Sequence, residues 1–142
     1  MAIYNLGSVN IDHVYRVPHL PEPGETLAAT SFSSGLGGKG ANQSIAIARA
    51  GGKVFHIGAI GSDGGWLADQ MTAAGVDTQH LSVINVPTGH AIIYVDDAAE
   101  NVIVLYTGAN RALTKAMVND ALSGAGVGDW LLLQNETNLG VY

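Results

Sequence analysis

The sequence contains no cysteine, which excludes disulfides and thiolate metal sites and is compatible with a reducing compartment. Basic residues are scarce. Arg16, Lys39, Arg49, Lys53, Arg111 and Lys115 are scattered along the chain against 12 acidic residues, for a formal net charge of −6. A nucleic-acid surface needs clustered cations to neutralise phosphates, and none is expected here. No apolar run approaches the ~20 residues needed to span a bilayer. The opening MAIYNLGSVNID has no basic segment leading into an apolar stretch, so no secretory signal is expected. The five histidines show no metal-ligand spacing, and no metal ligand is assigned. A soluble, cytoplasmic protein is expected, with neither nucleic acid nor membrane as partner.

What remains is a chain of 142 residues, 47% hydrophobic and 13% charged. That suits one domain with a real core rather than a disordered segment. Its 19 glycines point to tight turns and close backbone approaches. Apolar strands are expected at residues 3–6, 54–60, 81–86 and 130–133, the last of these buried. A partly polar strand is expected at 27–32. Helices are expected at 41–50, built of small residues, at 65–74, and from Thr114, a plausible N-cap, through residue 122. The near-continuous apolar run at 54–60 is typical of a parallel strand covered on both faces. Two β-rich runs, 90–96 and 102–106, flank a polar loop and read as a hairpin. Strand–helix alternation implies a layered α/β sheet, from which the hairpin must project as a small lid.

The most informative stretch is Gly35-Leu36-Gly37-Gly38-Lys39-Gly40-Ala41-Asn42. Glycines bring backbone amides close to a ligand, and the helix that follows turns its free N–H groups toward the turn. Lys39 and Asn42 add a cation and an amide, giving a place to hold hydroxyls or a small anion. Gly35, Gly37 and Gly40 also fit the dinucleotide fingerprint. That fingerprint needs a buried strand directly before it, whereas residues 28–34 are polar, and Asp63 lies in a Gly-Ser-Asp-Gly-Gly turn. A phosphate-cradling Walker loop is absent, because no glycine stands five residues before Gly38.

Residues 37–61 resemble the first signature of the ribokinase (PfkB) family of carbohydrate kinases. Gly37, Gly38, Asn42, Ser44, Gly51 and Gly61 fall at its fixed positions. Gly7-Ser8-Val9-Asn10-Ile11-Asp12 resembles the family's opening strand and sugar-binding carboxylate. Pro21-Glu22-Pro23-Gly24-Glu25-Thr26 resembles the loop entering the lid. Thr107-Gly108-Ala109-Asn110 and Leu133-Gln134-Asn135-Glu136 resemble later landmarks. The resemblance extends over essentially the whole chain and is strongest to the ribokinases within the family.

The resemblance implies a three-layer Rossmann-like fold, here partial, with lid strands near 26–34 and 89–107. It implies ATP-dependent phosphorylation of a sugar primary hydroxyl, ribose first among the candidates. Sugar contacts would come from Asn10, Asp12, Gly38, Lys39, Asn42 and Glu136. The catalytic base, the ATP pocket and Mg2+, with a possible monovalent cation, would belong to a carboxy-terminal half beyond Tyr142. The present chain alone would then be inactive, and the parent protein a homodimer joined through its lid. Two other readings stand beside this one: a non-catalytic sugar-binding or dimerisation module, and an NAD(P)-binding oxidoreductase. Each residue also has a bland reading, with Asp12 in an Asx turn, Lys39 merely exposed, and Glu136 an ordinary solvent carboxylate. Gly124-Ala125-Gly126-Val127-Gly128-Asp129 is expected to be a helix-to-strand turn. Trp66 and Trp130 are expected to serve packing, with His56 and His90 in or beside strands and Arg111 at the surface.

Overall fold

The computed structural model describes residues 1–141. Its centre is a parallel sheet of four strands: β1 (Ile3–Leu6), β4 (Val54–Ile60), β5 (Leu81–Val83) and β8 (Trp130–Leu133), in the order β5-β4-β1-β8. Every residue of β4 is buried, as its continuous apolar character requires for a strand covered on both faces. Helices α1 (Lys39–Arg49) and α2 (Gly65–Ala73) cover one face, around Val54, Ile60, Leu67 and Met71. Helix α3 (Lys115–Leu122) covers the other, around Leu6, Phe55, Ile57, Val118 and Ala121. The result is three layers, α/β/α.

A second sheet projects from this body. It consists of β2 (Asn10–Arg16), β3 (Ser31–Gly37), β6 (Gly89–Val95) and β7 (Asn101–Tyr106), in the order β3-β2-β6-β7. The β6–β7 hairpin is antiparallel, as expected, and β2 runs parallel to β6. Strict alternation gives this lid two faces. One presents Asp12, Ala91, Ile93, Ile103 and Leu105 toward the body. The other carries an aromatic row in which the rings of Tyr15 and Phe32 lie 4.8 Å apart and those of His13 and Phe32 5.8 Å apart.

The structure departs from the sequence expectations in four places. Strand β2 was not expected, because Asp12, His13 and Arg16 give it a polar character that only a half-exposed lid tolerates. The strand expected at 27–32 lies at Ser31–Gly37 instead, so Gly35, Leu36 and Gly37 belong to a strand and the turn itself narrows to Gly38. Strand β5 stops at Val83. Strand β8 was expected to be buried, yet it forms the sheet edge and leaves Trp130 67% exposed. A strand is buried only by a neighbour, and among the described residues none pairs with its outer side. Thr114 does cap α3, its side chain accepting from the Met117 N–H.

Candidate functional site

The site forms where β1 ends and α1 begins. The two segments nearly touch, and a Cβ on Gly40 would collide with the backbone of Gly7 and Ser8. The Ala41 N–H donates to the Ser8 carbonyl at 2.9 Å. Gly38, with φ of 93°, makes the corner into α1 and leaves no room for a side chain against the Ser8 carbonyl and Asn10 N–H.

Glu136, three residues past β8, enters this corner. Its Oε2 accepts from Ser8 Oγ at 2.6 Å and from the Lys39 N–H at 3.3 Å, while Oε1 pairs with the Lys39 ammonium. Burial opposes its ionisation, but the bonds from Lys39 and Ser8 prevail and hold its pKa below the usual value. An N–H of the first turn of α1 thus meets a carboxylate, as the helix dipole favours. Lys39 remains 75% exposed, so the pair adds little to stability and serves to orient the two side chains.

Asp12 projects from β2 directly over Gly37, where any Cβ would overlap its carboxylate. Partial burial and the nearby Glu136 charge raise its pKa, with His13 opposing. It lies in a strand, not in an Asx turn. Asn10 is buried, and its Oδ1 accepts from Asn110 Nδ2 at 2.7 Å.

All six residues singled out from the sequence, Asn10, Asp12, Gly38, Lys39, Asn42 and Glu136, line one cleft of about 220 Å³. Its other walls are Ala91, Ile93, Ile103 and Leu105 of the lid. The cleft is smaller than those for drug-sized ligands. It combines two carboxylate acceptors, a cation and two amides beneath an apolar cover. Such a set replaces the water around the hydroxyls of a small polyol. Sequence reasoning missed Ser8 and Asn110 as supports of this site. Ser8 stood within a recognised motif, but nothing marked its hydroxyl as a partner for a residue 128 positions away. The Gly35, Gly37 and Gly40 pattern does not take the dinucleotide arrangement, because its first two glycines lie in an antiparallel lid strand.

The family model for pfkB family carbohydrate kinases matches residues 3–134. The chain belongs to this family. It is 43% identical over 137 residues to the ribokinase of Haemophilus influenzae, covering 94% of this chain and 45% of that protein. Among solved structures, the ribokinase of Cryptococcus neoformans in complex with ADP superposes with a TM-score of 0.81 at 41% identity. That match covers 98% of this chain and 42% of the other. The Arabidopsis thaliana ribokinase complexed with ribose and ATP gives a TM-score of 0.83 at 33% identity, covering 96% and 46%. The chain therefore spans somewhat less than half the length of these relatives. The carbohydrate-kinase fold and a sugar-kinase relationship are established for it. Among the described residues, no helix is long and apolar enough to cross a membrane, and no group of three His, Asp or Glu side chains could hold a metal.

Proposed function

We propose that the complete protein transfers the terminal phosphoryl group of ATP to a primary hydroxyl of ribose, and that this chain supplies the sugar-holding half and the lid. One observation carries the reading: carboxylates, amides and a lysine from β2, α1 and the segment after β8 converge on a single small cleft roofed by the lid. Asp12 and Glu136 accept from sugar hydroxyls, Lys39 and the amides of Asn10 and Asn42 donate, and the apolar roof excludes water. The ribose and ATP bound to the Arabidopsis relative support the choice of both substrates.

The proton-accepting base and the nucleotide site belong, in this reading, to sequence beyond Tyr142, and the 142-residue chain alone is inactive. Mg2+, which offsets phosphate charge in such transfers, and any monovalent cation would be held there too. The cytoplasm, where ATP is available, is the proposed location.

The parent protein is further proposed to be a homodimer joined through the outer face of the lid. Phe32, Val102, Val104 and Tyr106 are 44 to 58% exposed, and a small isolated sheet seldom leaves two apolar faces in water. A monomeric mass by sedimentation at micromolar concentration would contradict this.

The deciding assay is ADP release by the complete protein with ATP and Mg2+ over ribose, deoxyribose, fructose, ketodeoxygluconate and adenosine. Turnover led by ribose is expected. Ribose binding without turnover would favour a non-catalytic sugar-binding module. Turnover led by another sugar would replace ribose as substrate.

A further inference from the structure

The lid joins the body through the starts of β2 and β6, the end of β3 and the segment after β7. Three of these connections meet at the side chain of Asn110, in the single helical turn Gly108–Arg111 that follows β7. Asn110 is 2% exposed. Its Oδ1 accepts from the Val9 N–H at 2.9 Å. Its Nδ2 donates to the Val9 carbonyl at 3.2 Å and to Asn10 Oδ1 at 2.7 Å. Gly89, the first residue of β6, packs so closely that a Cβ there would overlap Asn110 Nδ2, Asn10 Oδ1 and the Thr107 carbonyl. One amide therefore touches the chain where it enters the lid at Val9–Asn10, where it re-enters at Gly89, and lies just beyond the point where it leaves at Thr107.

The bonding pattern also fixes which way round the Asn10 amide sits. A backbone N–H can only donate, so the Asn110 atom facing Val9 N is its oxygen. The Asn110 nitrogen must then face Asn10, and Asn10 must answer with its own oxygen. The Asn10 Nδ2 is thereby turned away from Asn110. Asn10 lines the cleft beside Asp12, so the two residues offer unlike hydrogen-bonding ends, a donor and an acceptor.

We propose that Asn110 is a positioning residue that holds Asn10 as a hydrogen-bond donor to the sugar and ties that orientation to the seating of the lid. A sugar oxygen accepts from Asn10 Nδ2, while a hydroxyl hydrogen is given to Asp12. Displacing the strand ends of the lid disturbs Asn110 and with it the Asn10 amide. This inference rests on the reading of the cleft as a sugar site.

The test is a double-mutant cycle in the complete protein with Asn10→Ala, Asn110→Ala and the double variant. Ribose Kd is read by titration calorimetry, and KM and kcat by ADP release. Each single variant is expected to raise ribose Kd roughly tenfold, as for one lost hydrogen bond. The double variant should stay within about twofold of Asn10→Ala, because Asn110 acts through Asn10. KM should rise by more than kcat falls. If Asn110→Ala does not fold, Asn110→Asp takes its place. Its carboxylate keeps the acceptor for Val9 N–H, lacks the donor for Asn10, and should impose the same loss of ribose affinity. Additive losses, or an unchanged ribose Kd in a folded Asn110 variant, would overturn the positioning role alone. A wild-type protein that binds no sugar would remove both this proposal and the functional reading beneath it.

Discussion

Replacing His56 with phenylalanine should change how stability depends on pH. His56 stands in the middle of β4 with no exposed surface. Its Nδ1 lies 2.8 Å from Ser44 Oγ, and that oxygen already accepts from Asn5 Nδ2 at 2.9 Å. The Ser44 hydroxyl and the His56 imidazole thus form one buried hydrogen bond, and the ring is packed away from solvent on every side. A charge on the ring would stand in a dry interior, far from water. Burial accordingly lowers the His56 pKa from 6.5 to about 4. The Gly7 carbonyl works weakly in the opposite direction, and Nε2 makes no full hydrogen bond.

The sign follows from linkage. Between pH 6.5 and 4 the unfolded chain binds a proton at this residue and the folded chain does not, so stability falls as pH falls. At about 1.4 kcal/mol per pH unit, His56 removes about 2 kcal/mol by pH 5 and about 3 kcal/mol near pH 4. His56→Phe keeps the ring volume and discards the titration. Urea unfolding of wild-type and variant complete protein at pH 7, 6 and 5 would measure it. The variant should start less stable at pH 7, because Ser44 loses its hydrogen bond to the ring. The gap should then shrink by about 2 kcal/mol at pH 5. A gap constant with pH would refute the reasoning. So would an imidazole NMR signal from His56 that titrates near 6.5.

Other consequences concern the cleft and its frame. Because the Asp12 pKa is raised and that of Glu136 lowered, ribose affinity should decline with acid first through Asp12. Glu136→Gln should weaken binding at neutral pH and move the acid limb downward, since it removes one charge that raises Asp12; calorimetry over pH 4 to 7 would show both. Gly40→Ala should abolish sugar binding, because its Cβ meets backbone at Gly7 and Ser8 that cannot yield; retained ribose affinity would contradict this. Thr114→Ala removes the cap of α3 and should cost about 1 kcal/mol in unfolding experiments, with ribose Kd unchanged.

Much of this was written locally in the chain. The apolar run Val54–Ile60 reads as a strand buried on both faces and is one, and the Thr114 hydroxyl marks the start of helix α3, which it caps. The spacing of Gly37, Gly38, Lys39 and Asn42 marks the corner that leads into α1 beside the cleft. These features depend on near neighbours in sequence, where backbone geometry and side-chain period act directly.

Tertiary structure decided the rest. Strand β2 is too polar to be read as a strand until β3 and β6 flank it. Trp130 and its strand were apolar enough to look buried, yet burial belongs to a neighbour and not to a residue. Ser8 meets Glu136 across 128 positions, and Asn110 meets Asn10 across 100. A hydroxyl or an amide in sequence carries no record of its partner, because a hydrogen bond depends on distance and direction that only the folded chain fixes.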